Sequence, residues 1–178
     1  MPAPSSEYST DHYLYKYIYT PLSENICFIH PNYISVANML ISTPLVVVSL
    51  LNHWSLGAVI AVFLFHTIID CMDGAVARAC DKKSKLGAAL DSASDIVFLV
   101  AITITIIYLF VQSRGFLSWE TISVSTVLII TTLVASIGTD HIHKDDYKSI
   151  SFIDVVNDNT TVLYVLGGAI AWWLVNRA

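Results

Sequence analysis

Charge is scarce in this chain. Only 13% of its 178 residues are Asp, Glu, Lys or Arg, against 55% hydrophobic, and the mean hydropathy is +0.65. From Asn25 to Ile69 no charged residue occurs at all, and uncharged stretches return at Ile96–Ser113, Thr121–Thr139 and Asn159–Asn176. Each approaches or exceeds the roughly 20 residues that carry a helix across a bilayer. Such a composition excludes an ordinary water-soluble domain, and no nucleic-acid partner is expected. Cysteine is sparse too: Cys27, Cys71 and Cys80 are odd in number and lack CxxC spacing. Neither a disulfide framework nor a zinc site is therefore expected, and the three read as small apolar fillers. A cleavable signal is also missing, because Met1 to Asp11 is polar with no basic stretch before a short apolar core; the chain is expected to keep its full length.

What is present reads as an all-α integral membrane protein with one interfacial helix and five transmembrane helices, forming a single membrane domain over residues 1–178. Residues 1–32 are the interfacial segment. Tyr8, Tyr13, Tyr15, Tyr17 and Tyr19 lie there among polar residues ahead of the first apolar run, as at a bilayer surface. Residues 33–112 hold the first three spans: about Tyr33 to Leu51, opened by Pro31 and kinked at Pro44; Ser55 to Arg78; and Leu86 to Val111. Residues 113–178 hold the last two, about Thr121 to Ile137 and Thr160 to Val175. With five spans, Lys16, Arg78, Lys82, Lys83, Lys85, Lys144 and Lys148 fall on one side and only Arg114 and Arg177 on the other. The positive-inside rule then places residues 70–95 at the cytoplasmic face, in a plasma or internal membrane, and the Asn159-Thr160-Thr161 sequon on that side is expected to carry no glycan.

Against this background the stretch DCMDGAVARACDKKSKLGAALDSASD stands out. Each intramembrane acid costs roughly 2.5 to 3.5 kcal/mol on insertion scales, so four without compensation would cost on the order of 10. Asp70 and Asp73 are three apart and Asp91 and Asp95 four apart, so two facing helices can present four carboxylates to one cleft. Hard cations such as Mg²⁺ or Mn²⁺ take oxygen ligands, and two of them can clamp a phosphate during in-line displacement. Gly74 and Gly87 lack side chains and would leave room for a nucleotide beside the ions, and Ala77 keeps the same wall low. The Arg78 fork suits bidentate contact with a diphosphate.

The string Asp70-x-x-Asp73-Gly74-x-x-Ala77-Arg78-(eight residues)-Gly87-x-x-x-Asp91-x-x-x-Asp95 resembles the complete signature of the CDP-alcohol phosphotransferases, membrane enzymes of phospholipid synthesis. The strict match covers 26 residues. The helical layout and the His30-Pro31-Asn32-Tyr33-Ile34-Ser35 segment, similar to the family's PN-x-(I/L)-(T/S) start, extend it to roughly residues 8 to 112. The resemblance implies that an acceptor hydroxyl attacks the β-phosphorus of a CDP-linked donor and that CMP leaves. It further implies Asp70, Asp73 and Asp91 around one Mg²⁺ or Mn²⁺ ion, Asp70, Asp91 and Asp95 around a second, and Asp95 as general base. Gly74, Ala77, Arg78, Ser84 and Gly87 would line the nucleotide and diphosphate site, with Asn32 at its mouth.

Some features depart from the family pattern. Six spans are usual there and five are read here, which bears on dimer packing and on the back wall of the acceptor pocket. Ile96 follows the fourth acid where relatives that use phosphorylated acceptors often carry Arg or Lys, and the later helices contain no basic residue, although Lys144 and Lys148 lie nearby. These absences lean toward an uncharged or amino-alcohol acceptor. Ala75 and Val76, with LGAALDSASD, favour CDP-diacylglycerol as donor, whereas YIYTPLSENICFIHPNYIS has some character of the choline and ethanolamine branch. A divalent-cation transporter and an inactive relative are the other readings. His66, four residues before Asp70, reads as a buried satisfied histidine rather than a carboxylate partner. The His141, His143, Asp140, Asp145 and Asp146 group reads as solvated surface.

Overall fold

The computed structural model describes residues 10–141 and 160–177, with side chains over 12–130 and 161–176. Among the described residues every regular element is a helix. An N-terminal arm consists of α1 (Thr10–Leu14), a π turn (Tyr15–Tyr19) and α2 (Thr20–Asn25). A rod over Pro31–Leu51 follows, made of α3 (Pro31–Ala37), a second π turn (Asn38–Ser42) and α4 (Thr43–Leu51). Then come α5 (Leu56–Ala79), α6 (Lys85–Arg114), α7 (Trp119–His141) and α8 (Thr160–Arg177). The rod, α5 and α6 are each long and apolar enough to cross a bilayer, and Trp119–Ile130 and Thr161–Asn176 are shorter apolar helices. The protein is an all-α membrane protein. The side chains of the His141/His143 group, Lys144, Lys148 and Asn159 and Thr160 of the sequon lie outside the described residues.

Local chemistry explains where these helices begin and end. His30 caps the rod by accepting Asn32 N–H at Nδ1, 3.3 Å away, with Pro31 in the first turn. Ser55 caps α5 and Ser84 caps α6, the latter accepting Gly87 N–H at 2.9 Å. Gly115, at φ +84°, ends α6 in a backbone conformation that L side chains rarely adopt. Just before Pro44, where a kink is expected, the rod widens into the π turn. A proline lacks the N–H for the preceding turn and its ring crowds the carbonyl four residues back, so the turn before it widens. The same arrangement occurs in the arm, where a π turn is also followed by Thr-Pro-Leu: Thr20-Pro21-Leu22 there, Thr43-Pro44-Leu45 in the rod.

α5 is the central helix, with 61% of its apolar window buried against 39% for the rod and for α6. Its first half packs through Val59, Val62 and Phe63 against the rod, α6 and α8. Phe63 meets Phe98 of α6 edge-on at 5.7 Å, and α8 approaches so closely that a Cβ on Gly168 would lie 3.0 Å from the Phe63 ring. The second half of α5 (Cys71, Met72, Ala75, Val76) packs against the arm, where Tyr19 is 1% exposed. On the outside, α6 exposes Val97, Val100, Ile104 and Tyr108 along one stripe, an apolar face suited to lipid. At 1.5 Å per residue α6 is about 45 Å long, against roughly 30 Å of hydrocarbon. One end must therefore project, and the end that carries Lys85 and Asp91 is the polar one.

The cysteine reading is corrected here. Cys27, just after α2, and Cys80, at the end of α5, form a disulfide with their Cα atoms 5.7 Å apart. Their 53-residue separation hides the pairing in sequence, because the chain runs along two long helices before it returns to the arm. Cys71 alone remains the buried filler that was expected. Lys82 Nζ reinforces the staple by donating to Cys27 O at 2.5 Å. Closing so long a loop should matter: under oxidising conditions Cys27→Ser or Cys80→Ser is expected to lower stability by about 2–4 kcal/mol. Thermal unfolding in detergent checks this, and the difference from the parent should vanish when both are reduced.

Candidate active site

α5 carries Asp70, Asp73, Gly74, Ala77 and Arg78 at i, i+3, i+4, i+7 and i+8, which is one helical face. Asp70 is 1% exposed and Asp73 4%, while Gly74, Ala77 and Arg78 are half-buried toward the helix end. α6 supplies Asp91 and Asp95, one turn apart and both half-buried. Asp91 interacts electrostatically with Asp70, Asp73 and Asp95, and Asp70 also with Asp73 and Asp95. Four carboxylates thus share one space, and their mutual repulsion demands a positive counterpart.

The rod braces the α5 pair. Ser35 Oγ donates to Asp73 Oδ2 at 2.5 Å, and Asn38 Nδ2 donates to Asp70 Oδ1 at 3.2 Å. The second oxygen of Asp70, Oδ2, is buried without a hydrogen-bond partner, as is Asp95 Oδ1. Buried carboxylate oxygens left in that state are costly, and hard cations take such ligands. Among the described residues no three His, Cys, Asp or Glu side chains form a ready-made metal cage. The fit to divalent ions therefore rests on the donor chemistry and on the orphaned oxygens.

A cradle lies at the start of α6. A Cβ on Gly87 would sit 3.1 Å from both Asn32 Oδ1 and Ser84 Oγ, so the three residues meet, and Asn32 Oδ1 is a buried acceptor with no partner. On the α5 side, Arg78 Nη2 donates to the Tyr15 hydroxyl at 2.8 Å, and the guanidinium lies 5.0 Å above the same ring. Burial pushes the Tyr15 phenol well above its ordinary value, while the Arg78 charge pulls in the opposite direction. Tyr15 is therefore a neutral phenol at physiological pH, offering a lone pair to the arginine.

The structure thus brings Asp70, Asp73, Asp91 and Asp95 together, joins Asn32 with Ser84 and Gly87, and lays Arg78 against the arm. Sequence reasoning gave no site role to Tyr15, Ser35, Asn38 or Ser42, although Ser35 closes the family-like start segment and Tyr15 stands among the interfacial tyrosines. A signal existed for three of them: Ser35, Asn38 and Ser42 recur at i, i+3 and i+7 in an otherwise oily rod, a polar stripe with one direction. Tyr15 has none, since nothing separates it from its neighbouring tyrosines. Tyr13 and Tyr17 are exposed and stacked on each other, as expected of a surface segment, whereas Tyr15 and Tyr19 turn inward. His66 is fully buried as expected, lies 2.9 Å from Ser42 Oγ and makes no direct bond to a carboxylate, but the expected satisfied ring is only half so, because Nε2 has no hydrogen-bond partner.

Residues 28–176 match the family model described as CDP-alcohol phosphatidyltransferase. Among curated proteins, one named "Putative cardiolipin synthase" from Mycobacterium bovis is 34% identical over 83 residues, which is 47% of this chain and 39% of the relative. A protein of the same name from Mycobacterium tuberculosis matches to the same extent. The match spans about two fifths of the length of these curated relatives. No solved structure matches the chain.

Proposed function

As the chain belongs to the CDP-alcohol phosphatidyltransferase family, we propose that it moves a phosphatidyl group from CDP-diacylglycerol to an acceptor alcohol and releases CMP. The observation that carries this reading is the shared space of Asp70, Asp73, Asp91 and Asp95, with buried unpartnered oxygens on Asp70 and Asp95 and with Arg78 on the same face of α5. In this reading Asp70, Asp73 and Asp91 hold one Mg²⁺ or Mn²⁺ ion, and Asp70, Asp91 and Asp95 hold a second. When bound, the ions would neutralise the diphosphate and make the acceptor hydroxyl more acidic. Asp95 Oδ1 takes the hydroxyl proton as the acceptor oxygen bonds to the phosphatidyl phosphorus. The bond from that phosphorus to the CMP oxygen breaks, and CMP departs with the electron pair. Gly74, Ala77 and Arg78 on α5 and Asn32, Ser84 and Gly87 at the cradle receive the nucleotide and diphosphate.

The relatives' name, a cardiolipin synthase, supports a phosphatidyl donor over a CDP-amino alcohol. The excess of basic residues on the motif side supports a cytoplasmic active face within a single five-span membrane domain. A homodimer belongs to the same proposal. Arg78 argues against a cation pathway, which has no use for a guanidinium beside its ligands.

The test is CMP release by protein purified in detergent with Mg²⁺ or Mn²⁺. Serine, glycerol-3-phosphate, inositol, inositol phosphate, ethanolamine, choline and phosphatidylglycerol are each offered with CDP-diacylglycerol. CMP release with one acceptor is expected. Release only from CDP-choline or CDP-ethanolamine with diacylglycerol would move the reading to that branch, and cation flux into liposomes without CMP would overturn it. A finer test concerns Tyr15. Tyr15→Phe keeps the ring over Arg78 but removes the hydroxyl acceptor, worth roughly 1 kcal/mol. A rise of about fivefold in KM for CDP-diacylglycerol is expected, with kcat nearly unchanged.

A further inference from the structure

A chain of polar residues runs from the carboxylates into the apolar interior, and transfer chemistry alone does not call for it. Asn38 Nδ2 donates to Asp70 Oδ1, Ser42 Oγ donates to Asn38 Oδ1, and Ser42 Oγ meets His66 Nδ1 at 2.9 Å. Asn38, Ser42 and His66 are each 0% exposed. A buried polar group left unsatisfied is costly, so three in succession inside a membrane helix pair make a network in which every bond counts.

The polarity of this chain follows from its end. Asn38 turns its amide nitrogen to Asp70 and its amide oxygen to Ser42. The single Ser42 hydroxyl hydrogen goes to Asn38, whose backbone oxygen at 2.7 Å and side-chain oxygen both crowd it, and this leaves the Ser42 oxygen to accept from His66. The ring is thereby assigned as the neutral Nδ1–H tautomer, with a bare lone pair at Nε2. His66 Nε2 indeed has no hydrogen-bond partner. Phe98 of α6 stacks on the imidazole with centroids 3.6 Å apart and planes within 9°, and fixes the ring orientation. The chain therefore ties the rod, α5 and α6 together beneath the site. It holds one oxygen of Asp70 and leaves the other, Oδ2, without a partner.

We propose that Asn38, Ser42 and His66 form a positioning strut that fixes the Asp70 carboxylate with Oδ2 directed into the cluster, so that a divalent ion meets a preset ligand. The strut rests on the two-ion reading above. Partners of metal ligands typically contribute 10- to 100-fold in affinity.

Mn²⁺ binding to the purified protein in detergent, followed by loss of the free-ion paramagnetic resonance signal, is the test. Asn38→Leu and Ser42→Ala are expected to weaken binding at least about tenfold. His66→Phe keeps the stack on Phe98 but loses the donor, and should weaken binding as well. His66→Asn places an amide N–H where Nδ1–H was and should restore most of the affinity. Ser42→Ala and the His66 pair keep the test decisive if Asn38→Leu does not fold. Wild-type affinity in folded Ser42→Ala and His66→Phe would overturn the strut while leaving the proposed reaction standing. A wild-type protein that binds no Mn²⁺ would overturn the two-ion reading and the strut together.

Discussion

Asp95→Asn is expected to lower CMP release by about 10² to 10⁴-fold, the range associated with loss of a positioned general base. The substitution preserves size and hydrogen-bonding capacity but removes the group that accepts a proton. Asp95 Oδ1 is buried without a protein partner, and Asp91, one turn earlier, is its foremost carboxylate neighbour. A negative charge there is costly unless an ion offsets it, so the position is held for chemistry rather than for packing. Single-turnover CMP release, with CDP-diacylglycerol binding measured separately, checks the assignment: turnover should collapse while binding changes little. Full turnover in Asp95→Asn would exclude it as the base.

Asp70→Asn should move two quantities in opposite directions. The proposed mechanism gives Asp70 to both ions, so turnover is expected to fall on the order of 10³-fold, as for loss of a main electrostatic contact in a transition state. Without metal, however, the native Asp70 is a liability: it is 1% exposed and repelled by Asp73, Asp91 and Asp95. An amide at this position still accepts from Asn38 and relieves that repulsion. In EDTA, Asp70→Asn is expected to be more stable than the parent by about 1–3 kcal/mol. Added Mn²⁺ should stabilise the parent and reverse the order, since an ion that binds only the folded protein stabilises it. Thermal melts in detergent with and without Mn²⁺ make the comparison. Lower stability in EDTA would mean that the carboxylate serves the fold.

The long helices were legible from the charge-poor runs together with their caps. Gly115 ends α6 two residues past the Ile96–Ser113 run, while Ser55, inside the Asn25–Ile69 run, and Ser84, in the basic turn, start α5 and α6. The acids and Arg78 were legible because intramembrane charge is expensive, and Asn32, Ser84 and Gly87 were drawn together by the family resemblance. What stayed hidden depends on contacts between distant segments. Cys27 and Cys80 meet only after the chain has passed along two long helices, and Tyr15 reaches Arg78 across 63 residues. The strut was half legible: its polar stripe is present in the rod, but its direction toward Asp70 depends on how the rod packs on α5.

The π turn at Asn38–Ser42 gives the rod a phase offset. An α-helix advances about 100° per residue, so a turn that carries one extra residue resets the angular position of everything beyond it. Below the offset, Ser35 and Asn38 address the carboxylates; above it, Val46 and Leu50 address the apolar core. One face of the rod thereby serves two differently oriented surfaces. If the turn closed as an ordinary α turn with all its residues kept, Val46 and Leu50 would rotate by about 100° toward lipid, whereas loss of one residue there would let the turn close and leave them on the core face. The placement of the rod's upper half thus depends on the turn staying wide, and Pro44, which has no N–H to give the preceding turn, keeps the offset from sliding along the helix.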